Sequence, residues 1–447
     1  MEAISNQEEM QESSVGGEES QVVVPIVDLV ESMESKIEEM RRLSQGSSRC
    51  IFKVNQSVGF LYRKVYRPEI LSVGPYYHGD ARFRMAEAHK WHFLGTMLSR
   101  NLIYGLRLQH FIDAIRSIEL EIRDSYEGEI KFGSDQFVEM MVLDGCFIIE
   151  LLLRIKGYVE TEANDSILAK RWTLPILTRD LIKVENQIPF LVLSRLFGML
   201  KESSGRSLTM IILDLFNQEL GRTDNTDNER HRDLNPRHLL DLLRSSLIPS
   251  GLELRPPQSL PKNIHCATVI RKKGIKIKAG DSLGLSNIHF KNGVLRIPRL
   301  IIDDFSQSAI LNCIAYEQCY TGLGLSMYIN AYAAILDALV NTADDIRLLR
   351  DKDVIEHYYG TDDEVALFCN NLGKAFPLDA GIQFFGGLFE DINMHCRNSR
   401  KVQWAGFKQT YFGTPWMFLS ALAAVILLIL TLAQTFFSAY GYFVPPV

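Results

Sequence analysis

Residues 415–437, PWMFLSALAAVILLILTLAQTFF, carry no charge over 23 positions. As a helix such a run is about 34 Å long, against a bilayer hydrocarbon core of about 30 Å. An uncharged stretch of this length rarely sits inside a soluble domain, so it reads as a membrane span, with Pro415, Trp416, Leu419, Val425, Leu428, Leu430 and Phe437 along it. Trp416 and Tyr440 lie at its ends, where amphipathic rings favour the interface. Only a short tail, 438–447, follows. Arg397, Arg400, Lys401 and Lys408 precede the run and no charge comes after it. The positive-inside rule therefore places residues 1–414 in the cytosol, as on a tail anchor inserted after synthesis. Plasma membrane and endomembrane are equally compatible with this. The sequons at Asn55 and Asn164 are about as many as chance provides, so they do not argue for a lumenal domain.

The rest of the chain has the composition of a globular protein. Apolar residues make up 47% of 447, enough to bury a sizeable core. The net charge of −6 gives no footprint for a nucleic-acid partner, which calls for a basic excess. Seven scattered cysteines, none in a CxxC pair, suit reduced, packed thiols rather than a disulfide framework. Residues 1–24 are acidic, have no apolar core segment and read as a disordered tail, not a signal peptide.

Between tail and span the pattern is mainly α. Ile26, Leu29, Val30, Met33, Ile37 and Met40 recur at helical spacing; packing on the domain is the first reading of that helix and partner binding the second. Helices are expected at 84–100, 108–124, 134–155, 188–203, 207–219, 236–247, 305–319, 325–341, 343–351, 363–376 and 384–404. The run 137–154, apolar nearly all round, should be the central core helix. Short strands are expected at 50–54 and 70–73. A small β-meander is expected over 275–302, because Asn292-Gly293 between two strand-like runs is a strong type I′ hairpin signal. The polar and Pro-rich stretch 220–264 is a possible subdomain boundary within a helical domain of residues 25–410.

Motifs for catalysis are missing. There is no P-loop, dinucleotide fingerprint, nucleophile elbow, HExxH or EF-hand loop. No cofactor is implied. His89 and His92 stand three apart on one helix face, but no Cys or carboxylate accompanies them at a ligand spacing, so no metal site is expected. More informative are polar groups set in apolar runs: His78 after a Gly-Pro turn, Asp144, the Glu185-Asn186-Gln187 triplet, and Glu317-Gln318. A buried carboxylate is costly unless paired. These groups therefore need one another, Lys90, or helix N-terminal amides. A hydrogen-bond network that docks helices is the first reading, and a ligand pocket the second. Pro189 fits the first turn of the helix that follows, which leaves Asn186 or Gln187 near its capping end. RKKGIKIK, 271–278, puts Lys276 and Lys278 on one strand face. They either protect a sheet edge or meet anionic lipid headgroups.

Several of these stretches together resemble a plant family, the domain of unknown function 247, also called uncharacterised plant protein family 0481. They are SVGPYYHG, AEAHKW, MMVLDGCFIIELL, VENQIPFLVL, FKNGVLRIPRLIIDD, AYEQC and YFGTPW, in order over nearly the whole chain. The chain departs in having Tyr77 where members often carry His, and Ala86 where they carry an acid. The resemblance implies a mostly helical domain with a C-terminal membrane segment and no established enzymatic activity. It also implies recognition, since some members act in pollen–stigma recognition in grasses; no residue of this chain inherits that role.

The expectation is a membrane-anchored recognition or signalling protein, binding another protein, a peptide or itself. One alternative is an enzyme using His78 with Glu185 or Glu317 as acid and base. Another is a scaffold that dimerises through small residues of the span, Ser420, Ala421, Ala423 and Ala424.

Overall fold

The computed structural model describes residues 26–45, 49–54, 63–160, 167, 170, 172–203, 205–222, 234–249, 264–285, 288–320, 326–358, 360–375, 382–397 and 415–443. The expected tail at 1–24, both sequons and most of 220–264 lie outside them. The chain divides into two units, 1–48 and 49–447. In the first, α1 (Ile26–Gln45) forms as its periodicity predicts, and Leu29, Val30, Met33 and Ile37 are exposed.

In the second unit, α6 (Ser134–Ile155) is the central helix, buried from Phe137 to Arg154 except at Glu139. A helix apolar on every side has to be surrounded. It packs against α3 (Arg84–Asn101), α4 (Leu108–Arg116), α8 (Phe190–Phe197) and α9 (Leu208–Glu219). Phe93 of α3 stacks on Phe147 at 5.1 Å. A Cβ on Gly145 would lie 2.5 Å from Leu196 Cδ1, so glycine lets α8 approach α6 this closely. The short helices α2 (Arg63–Tyr66), α5 (Glu119–Asp124) and α7 (Thr173–Leu181) complete this half. The expected helix at 108–124 breaks into α4 and α5. At the break the Ser117 hydroxyl bonds the Ala114 carbonyl, a local bond that competes with helix continuation. The expected helix at 188–203 ends already at Phe197.

The other half holds α10 (Leu239–Leu247), α11 (Ala267–Lys272), α12 (Asp304–Cys319), α13 (Tyr328–Leu339), α14 (Ala343–Arg350), α15 (Asp362–Ala375) and α16 (Ile382–Arg397). One core cluster runs through both halves, and α10 packs on both α9 and α12. The sheet contains β1 (Lys276–Leu283), β2 (His289–Lys291), β3 (Val294–Ile302) and β4 (Ile355–His357). The hairpin forms as expected: Asn292 and Gly293 have φ of 52° and 74°, and β2 pairs antiparallel with β3. The meander does not. β1 pairs with β3 in parallel, and so does β4, making β3 the central strand. These pairings are set by packing rather than by a turn.

Two other expected strands are also revised. Residues 50–54 contribute a single bridge, Ile51 with Tyr126, and 70–73 pairs with no strand among the described residues. The fold is mainly α with a small sheet. α17 (Pro415–Phe443) is the one helix among the described residues long and apolar enough to cross a membrane.

Candidate functional site

The extended segment 69–74 satisfies its backbone through side chains instead of a strand. Glu69, Ile70 and Leu71 donate their N–H groups to the Asp180 carboxylate at 2.8–2.9 Å. Val73 N–H donates to Asn186 Oδ1 at 2.7 Å, and Gly74 N–H to Asp144 Oδ2 at 2.7 Å. The Ser72 carbonyl accepts from Lys90 Nζ at 2.6 Å. Asn186 Nδ2 donates to the carbonyls of Leu71 and Asp180 at 3.0 and 2.9 Å. Four elements, α3, α6, α7 and the turn after α7, thus grip one extended segment. Buried donors need partners, and here single carboxylates and amides supply several at once.

Lys90 and Asp144 are both buried, with Nζ 2.6 Å from Oδ1. Burial pulls the Lys90 ammonium down, and Asp144 with Glu87 more than offsets it, so its pKa is raised. Gly74 has φ +77°, and a Cβ there would lie 2.5 Å from the Gln187 carbonyl oxygen. Glycine is required by both conformation and space.

Gln187 extends the network. Its Nε2 donates to the carbonyls of Leu181 and Lys183, both at 2.8 Å, and its Oε1 accepts from Leu240 N–H at 3.2 Å. It therefore caps α10, and Asn186 holds Val73; neither caps the helix after Pro189, because both face the segment 71–74 and α10. Glu185 accepts from Val54 N–H at 2.9 Å and from the Tyr77 hydroxyl. Asn312 of α12 ties in Val184 N–H at 2.9 Å.

Glu317 forms a second centre. Its carboxylate accepts from Arg244 Nε at 2.9 Å and from Ile329 and Asn330 N–H at 3.2 and 2.9 Å. It caps α13 from a neighbouring helix. Burial pushes its carboxyl up, opposed by Arg244 and Asn330. Gln318 donates to Asn330 Oδ1 at 2.7 Å.

His78 stands apart. It meets Phe132 edge-on at 5.4 Å and makes no hydrogen bond or ion pair among the described residues. The nearby Asp80 is paired with Arg82. His78 bonds neither Glu185 nor Glu317: Glu185 accepts from Val54 N–H and the Tyr77 hydroxyl, and Glu317 from Arg244 and the N–H groups that start α13. His89 and His92 join no group of three potential metal ligands among the described residues.

Sequence reasoning missed Asp180, Asn312, Arg244 and His238. Asp180 was findable, as an acid within the apolar run LPILTRDLI. His238 is buried at the start of α10, with Nε2 2.9 Å from the Cys50 carbonyl oxygen and Nδ1 accepting from Asp241 N–H. Burial lowers its pKa to about 4, so it stays neutral.

Openings to the surface are formed by described residues on both halves. A groove of about 270 Å³ between α3, α4 and α6 is lined mainly by Trp91, Leu94, Leu108, Ile112, Val138 and Val142, with Arg116 and Glu139 at its rim. A cleft of about 240 Å³ is lined by Arg179, Glu219, Asp303, Asp304 and Tyr358. Burial and then Asp303 push the Glu219 carboxyl up.

The chain is similar to known plant proteins along most of its length. A family model described as plant protein of unknown function matches residues 51–430. The UPF0481 protein At3g47200 of Arabidopsis thaliana is 31% identical over 419 residues, covering 88% of this chain and 87% of the relative. The putative UPF0481 protein At3g02645 of the same plant is 21% identical, covering 94% and 95%. No solved structure matches.

Proposed function

We infer, from the premise that this chain belongs to the plant family of unknown function DUF247, that it is a membrane-anchored recognition module whose helical domain binds another protein or a peptide. One observation carries the reading. The polar groups that most resemble a reactive constellation are engaged in holding the backbone of 69–74 and the starts of α10 and α13. What opens outward between α3, α4 and α6 is apolar instead, with Trp91 and Leu108 exposed on it. Aromatic anchors in such a surface suit protein contact. The length and apolarity of the helix Pro415–Phe443 support the anchor, and the basic residues before it favour a cytosolic side for the domain.

The test is proximity labelling in plant tissue from the N-terminus of the full chain, beside a W91E/L108E variant. A reproducible protein set that shrinks in the variant, with expression and membrane fraction unchanged, supports the reading. An identical set in both overturns the groove's part in it. Labelling confined to lumenal proteins overturns the topology.

A further inference from the structure

The strand register gathers charge that the sequence spreads over thirty residues. On β3, Val294 is aligned with Lys276 of β1 on one side and Lys291 of β2 on the other. Arg296 is aligned in the same way with Lys278 and His289. Leu295 and Ile297 alternate with them and are buried, so Lys276, Lys278, Lys291, Arg296 and His289 share the exposed face. Arg271 and Lys272, exposed at the end of α11, lead directly into β1.

None of these six lysines and arginines makes an ion pair or side-chain hydrogen bond among the described residues. Like charges directly opposite on adjacent strands are destabilising. Lysine on an edge strand blocks unwanted pairing, which accounts for Lys276 and Lys278. It does not account for Arg296, which stands beside Lys278 on the central strand. An external anionic surface would offset this repulsion.

A second observation says which surface. β2 packs on α16, the last described helix before the membrane segment. Phe290 of β2 meets His395 of α16 edge-on at 5.7 Å, and α16 ends at the exposed Arg397. Only residues 398–414 separate that end from Pro415. Seventeen residues reach at most about 60 Å, so the bilayer is always within range of the sheet.

We propose that the exposed face of β1, β2 and β3, with the end of α11, docks on anionic phospholipid headgroups of the bilayer that anchors the chain. The proposal rests on the anchor reading above. Each cation near an anionic leaflet contributes about a fivefold factor in surface affinity. Docking would fix the height and orientation of the recognition domain over the membrane.

The experiment uses the full chain with a photo-crosslinking residue at Val294, reconstituted in phosphatidylcholine vesicles with or without phosphatidylserine. Flotation that resists high salt and alkali in both lipids tests the anchor separately. The expected result is lipid adducts that rise at least about tenfold with phosphatidylserine and collapse in high salt. K278Q/R296Q should lower them roughly 25-fold while its melting temperature stays the same or rises, since it relieves a like-charge pair. Equal adducts in neutral lipid would overturn the proposal. So would adducts formed with residues 1–24 or with another protein, or adducts abolished by inositol hexakisphosphate yet insensitive to phosphatidylserine. Flotation only with phosphatidylserine would support the headgroup surface and overturn the anchor; no flotation with either lipid would overturn both.

Discussion

Lys90 Nζ lies 2.6 Å from Asp144 Oδ1, and both side chains are at most 2% exposed. The pair joins α3 to α6 and, through Ser72 O and Gly74 N–H, clamps the segment between them. Removing one partner strands a buried charge. K90M should therefore destabilise the domain by about 3–5 kcal/mol. A K90M/D144L double variant should recover part of that loss. Thermal unfolding of the full chain in detergent measures both, and equal losses in single and double variants would refute the coupling.

Gly74→Ala addresses the same clamp from the backbone side. The residue sits at φ +77° with the Gln187 carbonyl in the way of a Cβ. The conformation alone costs about 1–2 kcal/mol, and the contact forces a shift of the 187 turn. The expected loss is about 3 kcal/mol or more, read by denaturant midpoint. G79A provides the contrast, since nothing lies near a Cβ there and only the φ penalty applies.

His238 gives the fold a defined acid sensitivity. Its folded pKa of about 4 lies below the ordinary 6.5 because the ring is buried. Between those values the unfolded chain takes up a proton that the folded chain refuses. Stability therefore falls as pH drops from 6.5 toward 4, by roughly 3 kcal/mol in full. H238N should flatten this part of the stability–pH curve. An unchanged slope would assign the acid sensitivity elsewhere.

Deleting residues 415–447 should release the protein from the membrane fraction, since it removes the one helix among the described residues that is apolar enough to span. Fractionation of tissue expressing either form checks this. For the full chain, no glycan should appear at Asn55 or Asn164; a glycan at either would reverse the cytosolic placement.

Local patterns were readable from the chain. The apolar run 137–154 has one stable solution, a surrounded helix, and α6 is that helix. Asn292-Gly293 needs positive φ at both positions and obtains them. The polar residues at 144, 185–187 and 317–318 stood out because apolar surroundings make an unpartnered group costly. Their partners were another matter. Asp180 holding 69–71, Gln187 capping α10 and Glu317 capping α13 join positions far apart in sequence, and no periodicity specifies them.

The membrane-length helix, the mainly helical class and the hairpin follow from local pattern, because each depends on neighbours close along the chain. Tertiary structure alone decided that β1 and β4 flank β3 in parallel and that Arg296 stands beside Lys278. It also decided that the segment 69–74 is held by side chains rather than by a strand. Burial removes water from most of those backbone groups, and the partner that replaces the water is whichever donor or acceptor packing brings within hydrogen-bond reach.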